Sequence, residues 1–198
     1  MQRKFSCILL LLFLVGGGMC EHPSSKHLSE EDIHYLSLFL KDHRNIQPAN
    51  KNEYATRLNF QEQITLILQI QHLIFKAAPS GMPLPQHKRG SPKNLFLAKS
   101  GGHYDHRIVI EKALKSVGFI TRPINLFLEN KAYPILEVWT QEGWIIVDSS
   151  NTWVGLARNY CPVSIQQLEA SKFSMDWLYP IPERTFDLNH PCSYAYGW

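Results

Sequence analysis

Basic residues are too scattered along this chain to form a nucleic-acid surface. No run of Lys or Arg is longer than the pair Lys88-Arg89, whereas nucleic-acid-binding domains cluster such residues on one face. The formal net charge of +3 falls to +1 without residues 1–20, because 18 basic side chains then remain against 17 acidic ones. We therefore expect no nucleic-acid partner, and we expect the Lys88-Arg89 pair to lie in a solvated loop.

The chain also lacks the short motifs of metal enzymes and serine hydrolases. No His-x-x-x-His spacing exists, although metal ligands must converge on one ion at about 2.0–2.2 Å. No Gly-x-Ser-x-Gly context surrounds Ser149-Ser150, which we interpret as turn residues. We predict no metal and no cofactor. The cluster His103, Asp105 and His106 is interpreted as a polar, solvated helix cap, and the alternative is a metal or acid–base site.

The one apolar run that precedes the folded part is too short for a relaxed membrane span, which needs about 20 residues. It extends from Ile8 to Val15, after two basic residues and before Gly16–Gly18. This is the organisation of a secretory signal. We expect residues 1–20 to direct export, leaving a single domain, 21–198, in the periplasm or secreted. The alternative is a lipoprotein signal, with membrane anchoring through a lipidated Cys20.

Cysteine is scarce, with four in 198 residues. Two lie in or at the end of the signal, and Cys161 and Cys192 remain. An exported protein enters an oxidising compartment, where two cysteines readily pair. We predict a Cys161–Cys192 disulfide, which would stabilise the fold by roughly 3–4 kcal/mol through closure of a loop of about 30 residues. In a cytosolic protein the two thiols would instead be unpaired and buried.

Apolar periodicity predicts two helices in the first half of the chain. The first begins at Ser29 and ends near Asp42; the second runs to about Ala78 behind Asn59 and Glu62, which have capping-box spacing. The strongly apolar second helix is expected to be buried on more than one side. Residues 79–94 are rich in Pro and Gly, so we predict a loop there.

The second half predicts a helix followed by three strands. The helix ends at Gly118, a favourable C-terminal cap. The strand 119–128 contains Pro123, which indicates an edge strand or a bulge. The predicted strands Ile135–Thr140 and Trp144–Asp148 flank a three-residue turn, which is typical of an antiparallel hairpin. A last short helix, Ser164–Ser171, is predicted with Ser164 as its cap.

The order of residues from Gly101 to Trp153 resembles a known enzyme core. It reads Gly102-His103-Tyr104-Asp105, a helix, Arg122, Tyr133 with Glu137-Val138 four residues on, then Gly143-Trp144 and Asp148. This resembles the transglutaminase-like superfamily, which has a papain-like arrangement. The resemblance implies an α+β fold, with helices packed on a small antiparallel sheet, and a cysteine–histidine–aspartate site.

Aligned in this way, two of the three catalytic residues are replaced. Tyr104 stands at the cysteine position and Tyr133 at the histidine position, while Asp148 is retained. A phenol with a pKa near 10 is a poor nucleophile at neutral pH and cannot act as an imidazole base. We expect Asp148 to accept a hydrogen bond from Tyr133 or from another donor, and thereby to stabilise the fold. If the thiol and the histidine have moved, Cys161 and His190 could take their roles from the C-terminal segment.

The remaining candidate binding residues accompany the same core. Arg122 is expected to pair with Glu137 across adjoining strands or, alternatively, to line the cleft. The candidate binding residues are therefore His103, His106, Arg122 and Trp144. The cleft has an aromatic lining if it contains Trp139, Trp144 and Trp153. Alternatively, these tryptophans belong to the core.

These residues favour a non-catalytic, transglutaminase-like protein of the cell envelope or exterior. It would hold a peptide, protein or glycan in the degenerate cleft, with the 79–94 loop as its rim. The alternative is a hydrolase or transferase of altered mechanism, using His103 or His106, Asp148 and a tyrosine. A third possibility is a structural envelope protein whose own side chains fill the cleft.

Overall fold

The described residues form helices on both sides of a three-stranded antiparallel sheet. The structure is a computed structural model and describes residues 29–44, 54–128, 131–156 and 162–170. The signal, Cys20, Cys161, Cys192 and His190 lie outside these residues, so the predicted export signal, disulfide and relocated thiol lie there too. No helix in the described ranges is long and apolar enough to cross a membrane.

The elements follow one another in the order helices, sheet, helix. In chain order they are α1 (Glu30–Arg44), α2 (Tyr54–Arg57), α3 (Phe60–Ala77), α4 (Pro92–Ala98), α5 (His103–Ser116), β1 (Thr121–Leu128), β2 (Lys131–Thr140), β3 (Gly143–Asp148) and α6 (Ile165–Ala170). The general α+β class expected from the sequence is therefore confirmed.

The central helix α3 begins where the sequence predicts. Asn59 Oδ1 accepts from the Glu62 N–H at 2.9 Å, and the Glu62 carboxylate accepts from the Asn59 N–H at 2.9 Å. This reciprocal pair satisfies two N–H groups that the first helical turn leaves without partners. Ten of the eighteen residues of α3 are buried, which confirms its predicted position in the core.

The sheet has the order β1-β2-β3, with every neighbour antiparallel. Alternate residues of a strand point to opposite faces, and here each face is covered separately. One face contributes Leu136, Val138, Ile145 and Val147 to a core shared with α3 and α5. The other face contributes Ile135 and Ile146, which pack against Val163 and Ile165 at the start of α6. The start of α5 therefore lies on one side of the sheet and α6 on the other.

Three boundaries differ from the predictions. Helix α1 ends at Arg44, and β2 begins at Lys131, so Tyr133 and Pro134 are part of the strand. The predicted loop 79–94 ends earlier, because α4 begins at Pro92. Proline at the first helical position loses no hydrogen bond, and the Ser91 hydroxyl caps the Asn94 N–H. Pro123 lies in an edge strand, as predicted.

Candidate functional site

The glycines before α5 allow three chain segments to meet closely. A Cβ atom on Gly101 would collide with the Leu95 side chain. A Cβ atom on Gly102 would lie 3.1–3.3 Å from three atoms of Pro83. The two glycines are thus required by packing, because α4 and the preceding loop press against the start of α5.

Asp105 joins the loop to the first turn of α5. Its Oδ2 accepts from the Gly102 N–H at 2.9 Å and from the Leu84 N–H at 2.8 Å. Its Oδ1 lies 3.8 Å from Arg89 Nε, and the residue is 1% exposed. A carboxylate near the positive end of a helix is favourable. The prediction of a solvated cap is wrong for Asp105, because its partners in the loop remove it from water.

His106 is a second buried link. Its Nε2 lies 2.7 Å from the Ala78 carbonyl oxygen and its Nδ1 lies 3.0 Å from that of Gly102. The ring stacks on Phe75 at 4.7 Å, and the residue is 0% exposed. His106 therefore connects the end of α3 to α5. The prediction of a solvated position is wrong here as well, and this burial removes His106 from the candidate ligand-binding side chains.

The Asp148 carboxylate accepts hydrogen bonds from the turn that follows β3. Oδ1 accepts from the Ser150 N–H at 2.8 Å, and Oδ2 accepts from Asn151 Nδ2 at 3.0 Å. The Asp148 carbonyl accepts from Gln71 Nε2 of α3 at 2.7 Å. The Asp148 carboxylate therefore accepts hydrogen bonds in a structural role, as expected, and its donors are Ser150 and Asn151.

Tyr104 and Tyr133 occupy different surroundings. Tyr104 Oη donates to Asn125 Oδ1 at 3.4 Å, a long contact. Tyr133 is 43% exposed near the start of β2. Because Ile135 pairs with Asp148, Tyr133 and Asp148 share the sheet face that carries α6. Within the described ranges, no hydrogen bond links any two of the three positions.

His103 meets the end of β3. It is exposed, and its Nδ1 lies 2.8 Å from Ser150 Oγ. The neighbouring serine is engaged differently, since the buried Ser149 hydroxyl donates to the Pro134 carbonyl. The start of α5 and the turn after β3 are thus brought together through His103 and Ser150.

Arg122 and Trp144 form a separate cluster. Arg122 Nε donates to Glu137 Oε2 at 2.5 Å, and the two residues are directly opposite in the sheet. This confirms the predicted cross-strand pair. The Arg122 guanidinium also lies 4.2 Å from the ring centroid of Trp144, a favourable cation–π distance.

This cluster lies far from Tyr133. Trp144 packs edge-on against Trp139 at 5.4 Å, and Trp139 is 46% exposed, so the core interpretation is wrong for that residue. Trp139 lies six positions along β2 from Tyr133, which corresponds to about 20 Å. The four candidate binding residues are therefore divided among the helix start, the core and the hairpin end.

A depression of about 190 Å³ lies beside the hairpin end. It is bordered by α2, the turn after α5 and the β2–β3 hairpin, with Phe119, Ile120 and Trp139 among its walls. Gln63, which also lines it, is fully engaged, because its amide donates to the Ala55 carbonyl and accepts from the Gln141 N–H. The depression therefore offers an apolar wall with few polar groups to orient a ligand.

No three potential metal ligands cluster within the described part of the chain. In the His103, Asp105 and His106 segment the three side chains contact Ser150, Leu84 and Ala78 respectively. They diverge from the helix start, so they cannot hold one ion.

Arg107 is a charged residue that the sequence interpretation missed. It is buried, and its Nε has no hydrogen-bond partner. Its guanidinium lies 5.5 Å from the centroid of the Tyr104 ring. Burial lowers the pKa of Arg107 from its ordinary value, and Glu111 and Tyr104 oppose that change. No sequence signal identified it, since an arginine on a helix is usually solvated.

Comparison with known proteins adds no relative to this picture. No family model, curated protein or solved structure matches the chain.

Proposed function

We propose that this chain is an exported, non-catalytic protein of transglutaminase-like ancestry that binds a peptide, protein or glycan. Its ligand surface is the end of the sheet where His103 of α5 meets the turn after β3 and where Tyr133 lies at the start of β2 on the α6 face, together with the exposed part of the loop before α4. Residues 1–20 direct its export to the periplasm or exterior, with Cys20 as an alternative lipid anchor. The α+β arrangement and the Arg122–Glu137 pair are compatible with that ancestry.

One observation carries the non-catalytic assignment. Both carboxylate oxygens of Asp148 accept hydrogen bonds from the turn that follows it. A triad acid must instead orient an imidazole, and no hydrogen bond joins either tyrosine to Asp148 among the described residues. With a phenol at the nucleophile position and another at the base position, no unit remains that could activate a thiol-type attack.

The binding assignment is supported by what is exposed at this rim. Tyr133 and His103 both reach solvent, and Met82 in the neighbouring loop is 83% exposed. An aromatic face beside hydrogen-bonding groups suits peptide or sugar contacts. The loop that carries Met82 is held in place by Asp105, so the rim is organised before a ligand arrives, which reduces the ordering cost of binding.

A matched pair of tyrosine and tryptophan variants tests this function. The purified protein is first screened on peptide and glycan arrays, and its best ligand is then titrated against Tyr133→Ala and Trp139→Ala. The two residues are similarly exposed on one strand, about 20 Å apart. We expect Tyr133→Ala to weaken binding at least tenfold, since a buried aromatic contact contributes more than 1 kcal/mol. Trp139→Ala should bind as wild type does.

Two results would contradict the proposal. Loss of binding in Trp139→Ala alone would move the site to the hairpin end. Cross-linking or hydrolysis of peptides by the purified protein, abolished by Tyr104→Phe, would show that the chain is an enzyme.

The 2.8 Å contact between Ser150 and His103 favours a second candidate, a hydrolase of altered mechanism. The imidazole would take the Ser150 proton as the hydroxyl attacks an ester carbonyl, and it would return the proton to the alcohol that leaves as the ester C–O bond breaks. Water would then hydrolyse the acyl-serine and release the acid. An ester screen with a pH–rate profile tests it, and Ser150→Ala should abolish any turnover that is found. Turnover that survives in Ser150→Ala would exclude this pair as the cause.

A further inference from the structure

His106 lies where two separated segments of the chain are joined. Ser80 and Gly101 form a parallel bridge. The Ala78 carbonyl precedes this bridge in one segment, and the Gly102 carbonyl follows it in the other. Each carbonyl oxygen lies within hydrogen-bond distance of one nitrogen of the buried His106 ring. The imidazole therefore spans the junction between the end of α3 and the start of α5.

Both partners of the ring are hydrogen-bond acceptors. A carbonyl oxygen has no proton to donate, so each contact requires an N–H on the imidazole. A neutral imidazole has one N–H, whereas the imidazolium has two. Nε2 lies 2.7 Å from the Ala78 oxygen, and Nδ1 lies 3.0 Å from the Gly102 oxygen. The two contacts are therefore both hydrogen bonds only when His106 is doubly protonated.

A buried carboxylate beside the ring supplies the opposite charge. Asp105 is buried, and its Oδ1 has no hydrogen-bond partner among the described residues. A Cβ atom on Gly101 would lie 3.3 Å from the Asp105 Cβ and 3.3 Å from the His106 Cε1, so both side chains border one glycine. The Arg89 Nε is 3.8 Å from Asp105 Oδ1, and the Arg89 side chain is 36% exposed. A charged His106 therefore adds a buried cation where an isolated buried anion is unfavourable.

Two effects oppose a positive charge at this position, namely burial and the positive end of the α5 dipole. Two charge-assisted hydrogen bonds and the neighbouring Asp105 carboxylate favour it. Asp105 is the one carboxylate on the last two turns of α3, the loop before α4, α4 and the first two turns of α5. The other titratable or charged side chains on these elements are His72, Lys76, His87, Lys88, Arg89, Lys93, Lys99, His103, Tyr104 and Arg107.

Loss of one proton changes the junction. The contact from Nε2 is the shorter one, and the Gly102 carbonyl also accepts from the His106 backbone N–H at 3.1 Å. Nδ1 is therefore the nitrogen that loses its proton more easily. Its lone pair then repels the Gly102 oxygen. Gly102 packs against Pro83 of the loop and precedes His103, which contacts Ser150, so the repulsion acts on the segments that carry the proposed ligand surface.

We propose that His106 is a pH-sensitive switch: the doubly protonated ring fixes the loop before α4 to the start of α5, and the neutral ring releases it. An imidazole changes its charge between about pH 5 and 8. The charged ring has both of its hydrogen bonds in the folded state alone, so the switch stabilises the fold in acid and this stabilisation is lost as the pH rises. The proposal rests on the proposed function for its ligand and adds the regulation of that ligand surface.

Long-range ¹H–¹⁵N NMR of the full chain observes the two ring nitrogens directly. The imidazolium and the two neutral tautomers differ in their nitrogen shifts, and the contact with Phe75 assigns the ring. We expect His106 to carry protons on Nε2 and Nδ1 at about pH 5 and on Nε2 alone at about pH 8. A ring with the same number of protons at both pH values would overturn the switch.

Chemical denaturation of two histidine variants measures the effect on stability. His106→Asn places an amide where Nδ1 lies, and that amide donates at every pH. Between about pH 5 and 8, the folded-to-unfolded ratio of wild type should fall about tenfold further than that of His106→Asn, the scale of one charge-assisted hydrogen bond. His34→Gln removes an exposed histidine of α1 and should keep the wild-type pH dependence. Equal pH dependence of wild type and His106→Asn would contradict the switch.

The array ligand distinguishes a failure of the switch from a failure of the proposed function. Its Kd for wild type should rise several-fold from about pH 5 to 8, and its Kd for His106→Asn should not. A Kd that stays constant while the ring changes its charge would overturn the regulation of the ligand surface. If Tyr133→Ala weakens the ligand while His106 keeps one charge state, only the switch fails. If His106 changes its charge as expected and no array ligand is found, only the proposed binding fails.

Discussion

Replacement of Asp105 by alanine is expected to lower the free energy of unfolding by about 3 kcal/mol, because two charge-assisted hydrogen bonds are lost and the Leu84 N–H remains buried without an acceptor. The loop before α4 should also open. Lys88-Arg89 lies in that loop, so trypsin should cut there several times faster than in wild type. Chemical denaturation and timed proteolysis measure the two effects.

Two control variants distinguish the loss of the Asp105 hydrogen bonds from the general effect of removing a negative charge. Asp105→Asn keeps one oxygen acceptor and should lose about half as much stability as the alanine variant. Glu31→Gln removes a solvated carboxylate that lies 4.0 Å from Lys93 Nζ, and no measurable change is expected. Equal stability of Asp105→Ala and wild type would show that the loop is held by other contacts.

Replacement of Glu137 by alanine is expected to cost about 3 kcal/mol. This carboxylate is fully buried, and it accepts from Arg122 Nε and from the Ile165 N–H at 2.7 Å. Breaking a buried ion pair costs about 3–5 kcal/mol. The lower value applies here because the Arg122 side chain is 46% exposed and regains water when its partner is removed.

Glu137 accepts a hydrogen bond from the first N–H of α6, that of Ile165. Removal of the carboxylate should therefore destabilise α6 as well as the sheet. Amide hydrogen exchange in α6 should become faster, while exchange in α3 should change only through global unfolding. Glu137→Gln retains an acceptor for Ile165 and should protect α6. Glu142→Ala, in the exposed hairpin turn, is the matched control without effect. A change below 1 kcal/mol in Glu137→Ala would contradict the expectation.

The parts of this fold that depend on local chemistry were predictable from the sequence. Asn59 and Glu62 are three residues apart and satisfy each other within one helical turn, so no distant partner enters the prediction. The same holds for the Ser164 cap, whose hydroxyl accepts from the Gln167 N–H at 3.3 Å. The Arg122–Glu137 pair was expected from the positions of the two residues in the resemblance, and the observed register places them directly opposite each other.

The chemistry of the α5 start was not predictable, since its partners are remote in sequence. Asp105 bonds to Leu84, 21 residues away, and His106 to Ala78, 28 residues away. Neither residue type signals burial by itself. Helix α4 was missed for another reason: Pro92 was interpreted as a helix breaker, although proline after a serine cap is a favourable helix start.

The edge strand β1 has a consequence for how the protein behaves at high concentration. Pro123 has no N–H to donate to an incoming strand, and the adjacent Arg122 presents a charge at the same edge. An incoming strand finds no N–H at Pro123 and cannot form a regular ladder with β1. Association through this edge should therefore stay weak under crowded conditions in which an unprotected edge strand nucleates fibrils.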